Sequence, residues 1–258
     1  MTGRDIDAES VSHAWLRVCQ LMLRAREHKA THVVVRMPHP LAEDHAIRVA
    51  ADAFMDAAGH DPIDEVRNTI FPSAMASDLP DPAELAAEYM EDYDLRRTLA
   101  GGQGTYFGRI CAYPHPVGPP TPQLKNVAAR LGKAARPGEK RWRATYQINI
   151  YAEHLDQGKT RGYFPCMAHL AFQLASEPGD TKPGRLDCVA LYRNQNMTLK
   201  AYGNYLGLAE LQRYLASAAG FRAGELTVIA GHAELDLKRG DADRLQQLIG
   251  DHLDIGAA

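Results

Sequence analysis

Three absences set the first limits on this 258-residue chain. It has no apolar run of about 18 residues, the length that a membrane-spanning helix needs. It has no Cys-x-x-Cys pair, so neither a zinc signature nor a redox motif is indicated. It has no excess of positive charge, since the formal net charge is −3, whereas a dedicated nucleic-acid binder carries a basic face. We therefore expect neither a membrane nor a nucleic acid as partner.

The four cysteines, Cys19, Cys111, Cys166 and Cys188, are scattered along the chain. This spacing is not that of a secreted disulfide framework, and the N-terminus up to Asp7 is polar and acidic, unlike a secretory signal. Reduced thiols and a cytoplasmic location are therefore the expectation. Cys19 falls in the apolar stripe of a predicted helix and Cys188 inside an apolar strand, and at both positions we expect a small buried hydrophobic residue.

The hydrophobic pattern predicts helices mainly in the first part of the chain and strands mainly in the second. Helices are predicted around Val11–Met22, Glu43–Ala58, Pro82–Leu99, Gln123–Leu131 and Tyr205–Ala219. Strands are predicted at Thr31–Met37, Arg143–Tyr151, Cys166–Leu174, Arg185–Arg193 and Glu225–Leu237. The proline-rich stretch Ile70–Pro82 is predicted to be a loop. Because 45% of the residues are hydrophobic, we expect one α+β domain over residues 1–258, with a large mixed sheet flanked by helices.

Cys166 differs from the other cysteines because it follows Pro165 at the open end of a predicted strand, where a side chain can face a cavity. Nearby Arg161 and a second arginine could favour the thiolate, which is the reactive form. His169 is not expected to be its partner base, because residues 166 and 169 point to opposite faces of a strand.

Short motifs between residues 104 and 237 resemble those of the thymidylate synthase family, closest to its archaeal type. They are Tyr106–Arg109, Gln123–Val127, Arg143–Thr145, Pro165–Met167, Leu191–Arg193, Ala201–Leu208, Gly224–Leu226 and Gly231–Leu235. Each motif alone is weak, and their common order and spacing carry the resemblance. Residues 1–100 form a divergent, mainly helical N-terminal part.

The resemblance implies a homodimer, associated through the sheet, in which Cys166 adds to C6 of a pyrimidine nucleotide. This addition makes C5 nucleophilic toward a one-carbon unit carried by 5,10-methylenetetrahydrofolate. The resemblance also implies that Arg193 binds the substrate phosphate, and that Arg143 reaches across the dimer to the same phosphate.

Asn204 matches the asparagine with which the family reads the base. An amide offers both a donor and an acceptor, which suits O4 and N3–H of uracil. The alternative for Asn204 is a helix N-cap. Glu65 is the candidate for the family's glutamate that organises protons around the base, and its alternative is a solvated surface carboxylate.

The chain departs from the family pattern at the sugar and folate contacts. Asn194 and Asn196 stand where the family has a serine and, near the pterin, an aspartate. Glu234 and Asp236 replace a histidine and a tyrosine that hold the ribose, so the sugar partner should present donors. His232, Glu234 and Asp236 alternate along a predicted strand. We interpret them as a polar strand face or pocket wall, and we predict no metal site.

The sequence therefore predicts a transferase that methylates or hydroxymethylates C5 of a uracil nucleotide. The changed sugar contacts indicate a specialised substrate, such as one from nucleoside natural-product or modified-nucleotide biosynthesis. Two alternatives stay open. One is folate-independent, cysteine-assisted chemistry at C5 of a pyrimidine, and the other is a non-catalytic nucleotide-binding protein on an enzyme scaffold.

Overall fold

The computed structural model describes residues 4–99, 102, 104–158, 165–176, 184–238 and 240–253. The strands in this part of the chain are β1 (Asp5–Asp7), β2 (Lys29–Met37), β3 (Gln147–Asn149), β4 (Met167–Ala175), β5 (Arg185–Asn196) and β6 (Arg222–Glu234). The helices are α1 (Val11–Arg24), α2 (His45–Ala58), α3 (Ile63–Ile70), α4 (Ser73–Asp78), α5 (Pro82–Glu91), α6 (Tyr93–Leu99), α7 (Tyr106–Cys111), α8 (Gln123–Ala134), α9 (Glu153–Asp156), α10 (Ala201–Ala218) and α11 (Asp241–His252).

One mixed sheet organises the described residues, with its six strands in the order β1-β2-β6-β5-β4-β3. The pairs β1/β2 and β5/β6 are parallel, and the other neighbours are antiparallel. Helix α10 connects the two central parallel strands, as such a crossover requires. The predicted mixed sheet flanked by helices is confirmed.

Residues along the central strands alternate between a buried and an open face of the sheet. On β5, Leu186, Cys188 and Ala190 are fully buried, whereas Val189 is only half-buried and Leu191 is 41% exposed. The period of two follows from strand geometry. The described residues therefore leave one face of the sheet largely uncovered.

The hydrophobic core continues from α1 through the sheet to α11. Trp15 of α1 stacks on Tyr202 of α10 and donates its indole N–H to the carbonyl of Met197 at 3.0 Å. Cys19 and Cys188 are at most 1% exposed, so the prediction that both are core residues is confirmed. Burial raises the pKa of both thiols, which keeps them protonated.

Helices α3 and α10 approach closely because α10 carries two glycines on the face they share. A Cβ atom added at Gly203 would lie 2.5 Å from the carbonyl oxygen of Ile63, and one at Gly207 would lie 2.7 Å from that of Arg67. Both separations are shorter than van der Waals contact. The glycines thereby fix α3 against the first two turns of α10.

Several predicted boundaries are wrong. The predicted loop Ile70–Pro82 contains α4, which begins just after Pro72, a position that tolerates the missing proline N–H. The predicted helix Pro82–Leu99 is divided at Asp92 into α5 and α6. The predicted strand Arg143–Tyr151 is reduced to β3, because residues 143–145 form a 3₁₀ turn. None of the helices in the described part of the chain has the length and apolarity needed to cross a bilayer.

Candidate active site

A cavity of about 430 Å³ lies where the beginning of β4, the end of β5, α3 and the beginning of α10 meet. Four residues singled out from the sequence line it together: Cys166, Asn194, Asn196 and Asn204. They are supplied by elements that are distant in sequence. The cavity therefore brings the thiol and three amides into one site.

The Cys166 thiol is partly buried and lies immediately before β4. Burial raises its pKa, and the nearby Glu234 carboxylate adds to that rise, while the Arg193 guanidinium lowers it. In the free site the net effect favours the neutral thiol, and Arg193 is the described cation that favours the thiolate. Arg161, the other arginine considered from the sequence, lies outside the described residues.

Arg193 is tied to the segment that carries the sulfur. Its Nη2 donates to the carbonyl oxygen of Pro165 at 2.6 Å, and its backbone N–H donates to the carbonyl of Cys166 at 2.8 Å. The guanidinium also lies 4.5 Å from the ring centroid of Tyr151, a cation–π distance. Pro165 lines the cavity, whereas Arg193 itself does not. The guanidinium thus stands just behind the cavity wall, beside the thiol.

Asn204 lies in the first turn of α10 and is only 4% exposed. The helix begins at Ala201 with Lys200 at the N-cap, so the alternative that Asn204 is the N-cap is wrong. No hydrogen bond joins its side-chain amide to any of the described residues, and the residue lines the cavity. A buried amide in this position is available to a ligand.

Tyr106 is a cavity residue that the sequence analysis quoted only as part of a motif. Burial raises its pKa to about 12, although the nearby backbone of Met167 and Cys166 lowers it. The N-cap of α7, Thr105, accepts a hydrogen bond from the N–H of Gly108 at 3.0 Å and so fixes the start of the helix. A threonine at this position is a recognisable N-cap in the sequence. The proximity of Tyr106 to Cys166, in contrast, depends on how α7 packs.

Helix α7 is held in place by a buried ion pair. Both terminal nitrogens of Arg109 donate to the Asp156 carboxylate, whose side chain is 0% exposed. Arg109 also donates to the carbonyl of Ile150 at 2.8 Å. A bidentate pair of this kind adds geometric specificity. It supports the helix from which Tyr106 projects.

Two further cavity residues, Tyr192 and Gln195, were not singled out from the sequence. They are 0% and 1% exposed. The hydroxyl of Tyr192 and both side-chain amide atoms of Gln195 are buried without a hydrogen-bond partner within the described residues. A buried polar group left unpaired costs about 1–3 kcal/mol. Burial also raises the pKa of Tyr192, so the hydroxyl keeps its proton.

Asn194 connects the cavity with two polar residues of β6. Its Nδ2 donates to Oε1 of Glu234 at 3.0 Å, and its Oδ1 accepts from Nδ1 of His232 at 2.8 Å. Glu234 and His232 stand behind Asn194 and do not line the cavity. The predicted shared strand face of His232, Glu234 and Asp236 is wrong, because β6 ends at Glu234 and Asp236 lies exposed beyond it. Across the described residues, no group of three or more metal-ligating side chains is arranged to hold an ion.

Asn196 shapes the connection between β5 and α10. Its Oδ1 accepts a hydrogen bond from the N–H of Leu199 at 2.9 Å, the local turn that asparagine favours. One side of the amide is thereby occupied, while the residue still lines the cavity.

Glu65 lies near this site but not in the same cavity. It is exposed on α3 and lines a neighbouring cleft of about 510 Å³. Val66 and Thr69, from the same helix, line both the cleft and the Cys166 cavity. Glu65 therefore does not place its carboxylate in the wall of the Cys166 cavity.

Two other residues stand apart from the thiol. Arg143 is exposed, and its backbone carbonyl accepts a hydrogen bond from the side chain of Gln173. At about 3.3 Å per residue, Gln173 lies roughly 20 Å along β4 from Cys166. The ring of His169 is hydrogen bonded to Asn149 at 2.9 Å and to Gln147 at 2.7 Å. Within one chain, neither residue joins the cavity.

Comparison with protein-family models and with curated proteins finds no significant match to this chain.

Proposed function

We propose that this protein is a thymidylate-synthase-like transferase. In this proposal it uses Cys166 to activate C5 of a uracil nucleotide for methylation or hydroxymethylation. The observation that carries the proposal is that one cavity is lined by the Cys166 thiol and by an Asn204 amide that has no side-chain hydrogen bond to the described residues. The order of the sequence motifs suggests the type of reaction, and the cavity is where the substrate would bind.

The chain's own residues account for the first half of the reaction. The Cys166 thiolate adds to C6, a C–S bond forms, and the electron pair of the C5=C6 bond moves toward C5 and O4. The Asn204 amide accepts from N3–H and donates to O4, where negative charge develops. After the new C5 substituent is in place, loss of the C5 proton and elimination of the thiolate restore the ring.

Three further residues support these groups. Tyr106 stays protonated because its pKa is about 12, and its hydroxyl lies near the backbone of Cys166 and Met167 in the cavity wall. Arg193, beside the sulfur, favours the thiolate, and in this proposal its guanidinium turns from behind the cavity wall to bind the substrate phosphate. Asn194, backed by Glu234, is the proposed contact on the sugar side.

The proposed one-carbon donor is 5,10-methylenetetrahydrofolate. It would supply the one-carbon unit and, for methylation, a hydride. The cleft next to the cavity shares Val66, Thr69, Thr105 and Lys200 with it, so a second ligand there would lie against the first. This cleft combines apolar side chains such as Met75 with the cation of Arg96, which suits a flat ring with an anionic tail.

The decisive experiment is hydrogen exchange at C5 of dUMP and UMP in deuterated buffer, followed by NMR, with and without methylenetetrahydrofolate. We expect exchange from the wild type and its loss from Cys166→Ala. Cys188→Ala is the matched control, because that thiol is buried in β5 away from the cavity. With the folate present, mass spectrometry of the product distinguishes a methyl from a hydroxymethyl group. Absence of both exchange and product from the wild type would falsify the proposal.

The second candidate is folate-independent chemistry at C5. It is favoured by Asn196, an amide already engaged with Leu199 where the family has a carboxylate near the pterin. Exchange that proceeds without folate, and no one-carbon product when folate is added, would select this candidate.

A further inference from the structure

Gln195 is an uncharged amide buried in the wall of the Cys166 cavity. The residue is 1% exposed, and neither Nε2 nor Oε1 has a hydrogen-bond partner within the described residues. Both atoms are almost inaccessible, so water in the cavity does not reach them in this conformation. Four hydrogen-bonding positions of one side chain, two donors and two acceptors, are therefore left unused beside a cavity.

A structural role does not explain this choice of residue. The backbone at this position is already secured by pairing with Ala233 of β6. The neighbouring side chains Asn194 and Asn196 each have a protein partner, Glu234 and Leu199. An apolar side chain of the same size would fill the space without unpaired polar atoms.

The other buried glutamine of this region behaves differently. Gln212 of α10 is 0% exposed, and its Nε2 donates to the carbonyls of Leu186 at 2.7 Å and Glu225 at 3.1 Å, while its Oε1 has no partner within the described residues. It does not line the cavity. The structural glutamine Gln212 thus has two acceptors for its amide nitrogen, whereas neither amide atom of Gln195 has a partner among the described residues.

We infer that Gln195 is a ligand-binding residue of this cavity. Its amide rotates into the cavity and hydrogen bonds with a neutral carbonyl or hydroxyl of the bound nucleoside that Asn204 does not contact. This inference rests on the proposed function, because it takes a uracil nucleotide as the ligand. The group is neutral because an uncharged amide pairs with carbonyls and hydroxyls, while the cation Arg193 stands near the anionic end.

The test compares Gln195→Met, an apolar residue of similar shape, with the wild type. In the free protein, Gln195→Met leaves Tm unchanged or raises it by about 2–4 °C, because it removes unpaired polar atoms. Calorimetric titration with dUMP and UMP gives an affinity about tenfold weaker than that of the wild type. Gln195→Leu is measured in parallel, so that the result does not depend on how one side chain repacks.

Gln212→Met is the control, with the opposite pattern: Tm falls because two hydrogen bonds are lost, and nucleotide affinity stays that of the wild type. Wild-type affinity in both Gln195 variants, or a lowered free Tm in both, overturns the inference and leaves the proposed function standing. If the wild type itself binds neither nucleotide, the proposed function and this inference fall together.

Discussion

The reactivity of Cys166 is set by three local influences: its burial, Arg193 and Glu234. Burial and the carboxylate raise the thiol pKa, and the guanidinium lowers it. Since the thiolate is the reactive form of a cysteine, the net rise of the pKa favours the less reactive neutral thiol in the free site. A bound nucleotide and a closed site would change these influences in the proposed reaction.

These influences predict opposite effects for two substitutions. Arg193→Gln removes the positive charge, so the pKa of Cys166 rises and its alkylation by iodoacetamide at pH 8 slows, by up to about tenfold. Glu234→Gln removes the negative charge, so the pKa falls and alkylation at the same pH becomes faster by a similar factor. The measurement is the pH dependence of Cys166 alkylation, followed by mass spectrometry of the peptide.

The charge-conserving Arg193→Lys is the control and should remain close to the wild type. The three other thiols are buried at 3% exposure or less and should react slowly throughout. Equal shifts in all variants would contradict an electrostatic origin and indicate a general loosening of the site.

At the scale of elements, the cavity depends on the close packing of α3 against α10. α3 supplies Val66 and Thr69 to the wall, and α10 supplies Asn204. Gly203 and Gly207 allow the two helices to approach because neither has a side chain, and the distance between the helices affects the width of the cavity. Helix propensity alone would favour alanine at both positions, so packing decides here.

We therefore predict that Gly203→Ala and Gly207→Ala destabilise the protein by about 1–3 kcal/mol, since the added methyl group meets backbone of α3. Both variants should also bind nucleotide more weakly, because α3 has to move. Urea denaturation and nucleotide titration measure the two effects.

Gly132→Ala in α8 is the matched control. Nothing lies within 4 Å of the Cβ that it adds, so it should stabilise the protein by about 0.5–1 kcal/mol through helix propensity. If all three variants were stabilised, the proposed helix contact would be incorrect.

At the scale of the whole molecule, two features favour a dimer: the uncovered face of the sheet and the position of Arg143. The face carries Val189, Leu191 and Ile229, which are half-buried or exposed in one chain. Arg143 lies far along β4 from the Cys166 of its own chain. We propose a twofold dimer packed through this face, in which each copy places Arg143 at the other's site, as the family resemblance implies.

Mixed dimers test this arrangement. Arg143→Ala and Cys166→Ala should each have little or no C5 exchange activity alone. Unfolding and refolding an equal mixture should restore about a quarter of the wild-type activity, because half of the dimers are mixed and each has one intact site. No recovery in the mixture, with mixed dimers present by native mass spectrometry, would exclude a contribution of Arg143 from the partner subunit.

The sequence by itself determined most of the long strands and helices and identified buried thiols, because periodicity of two and 3.6 residues reports local faces, but it missed short elements such as α4. Cys19 and Cys188 are examples. It also indicated Cys166 through Pro165. Only the tertiary structure decided that Asn204 and Tyr106 meet Cys166, that Gln195 is unpaired, and that Asp236 falls outside β6. These facts depend on where distant chain segments pack and where strand pairing stops, which no local pattern encodes.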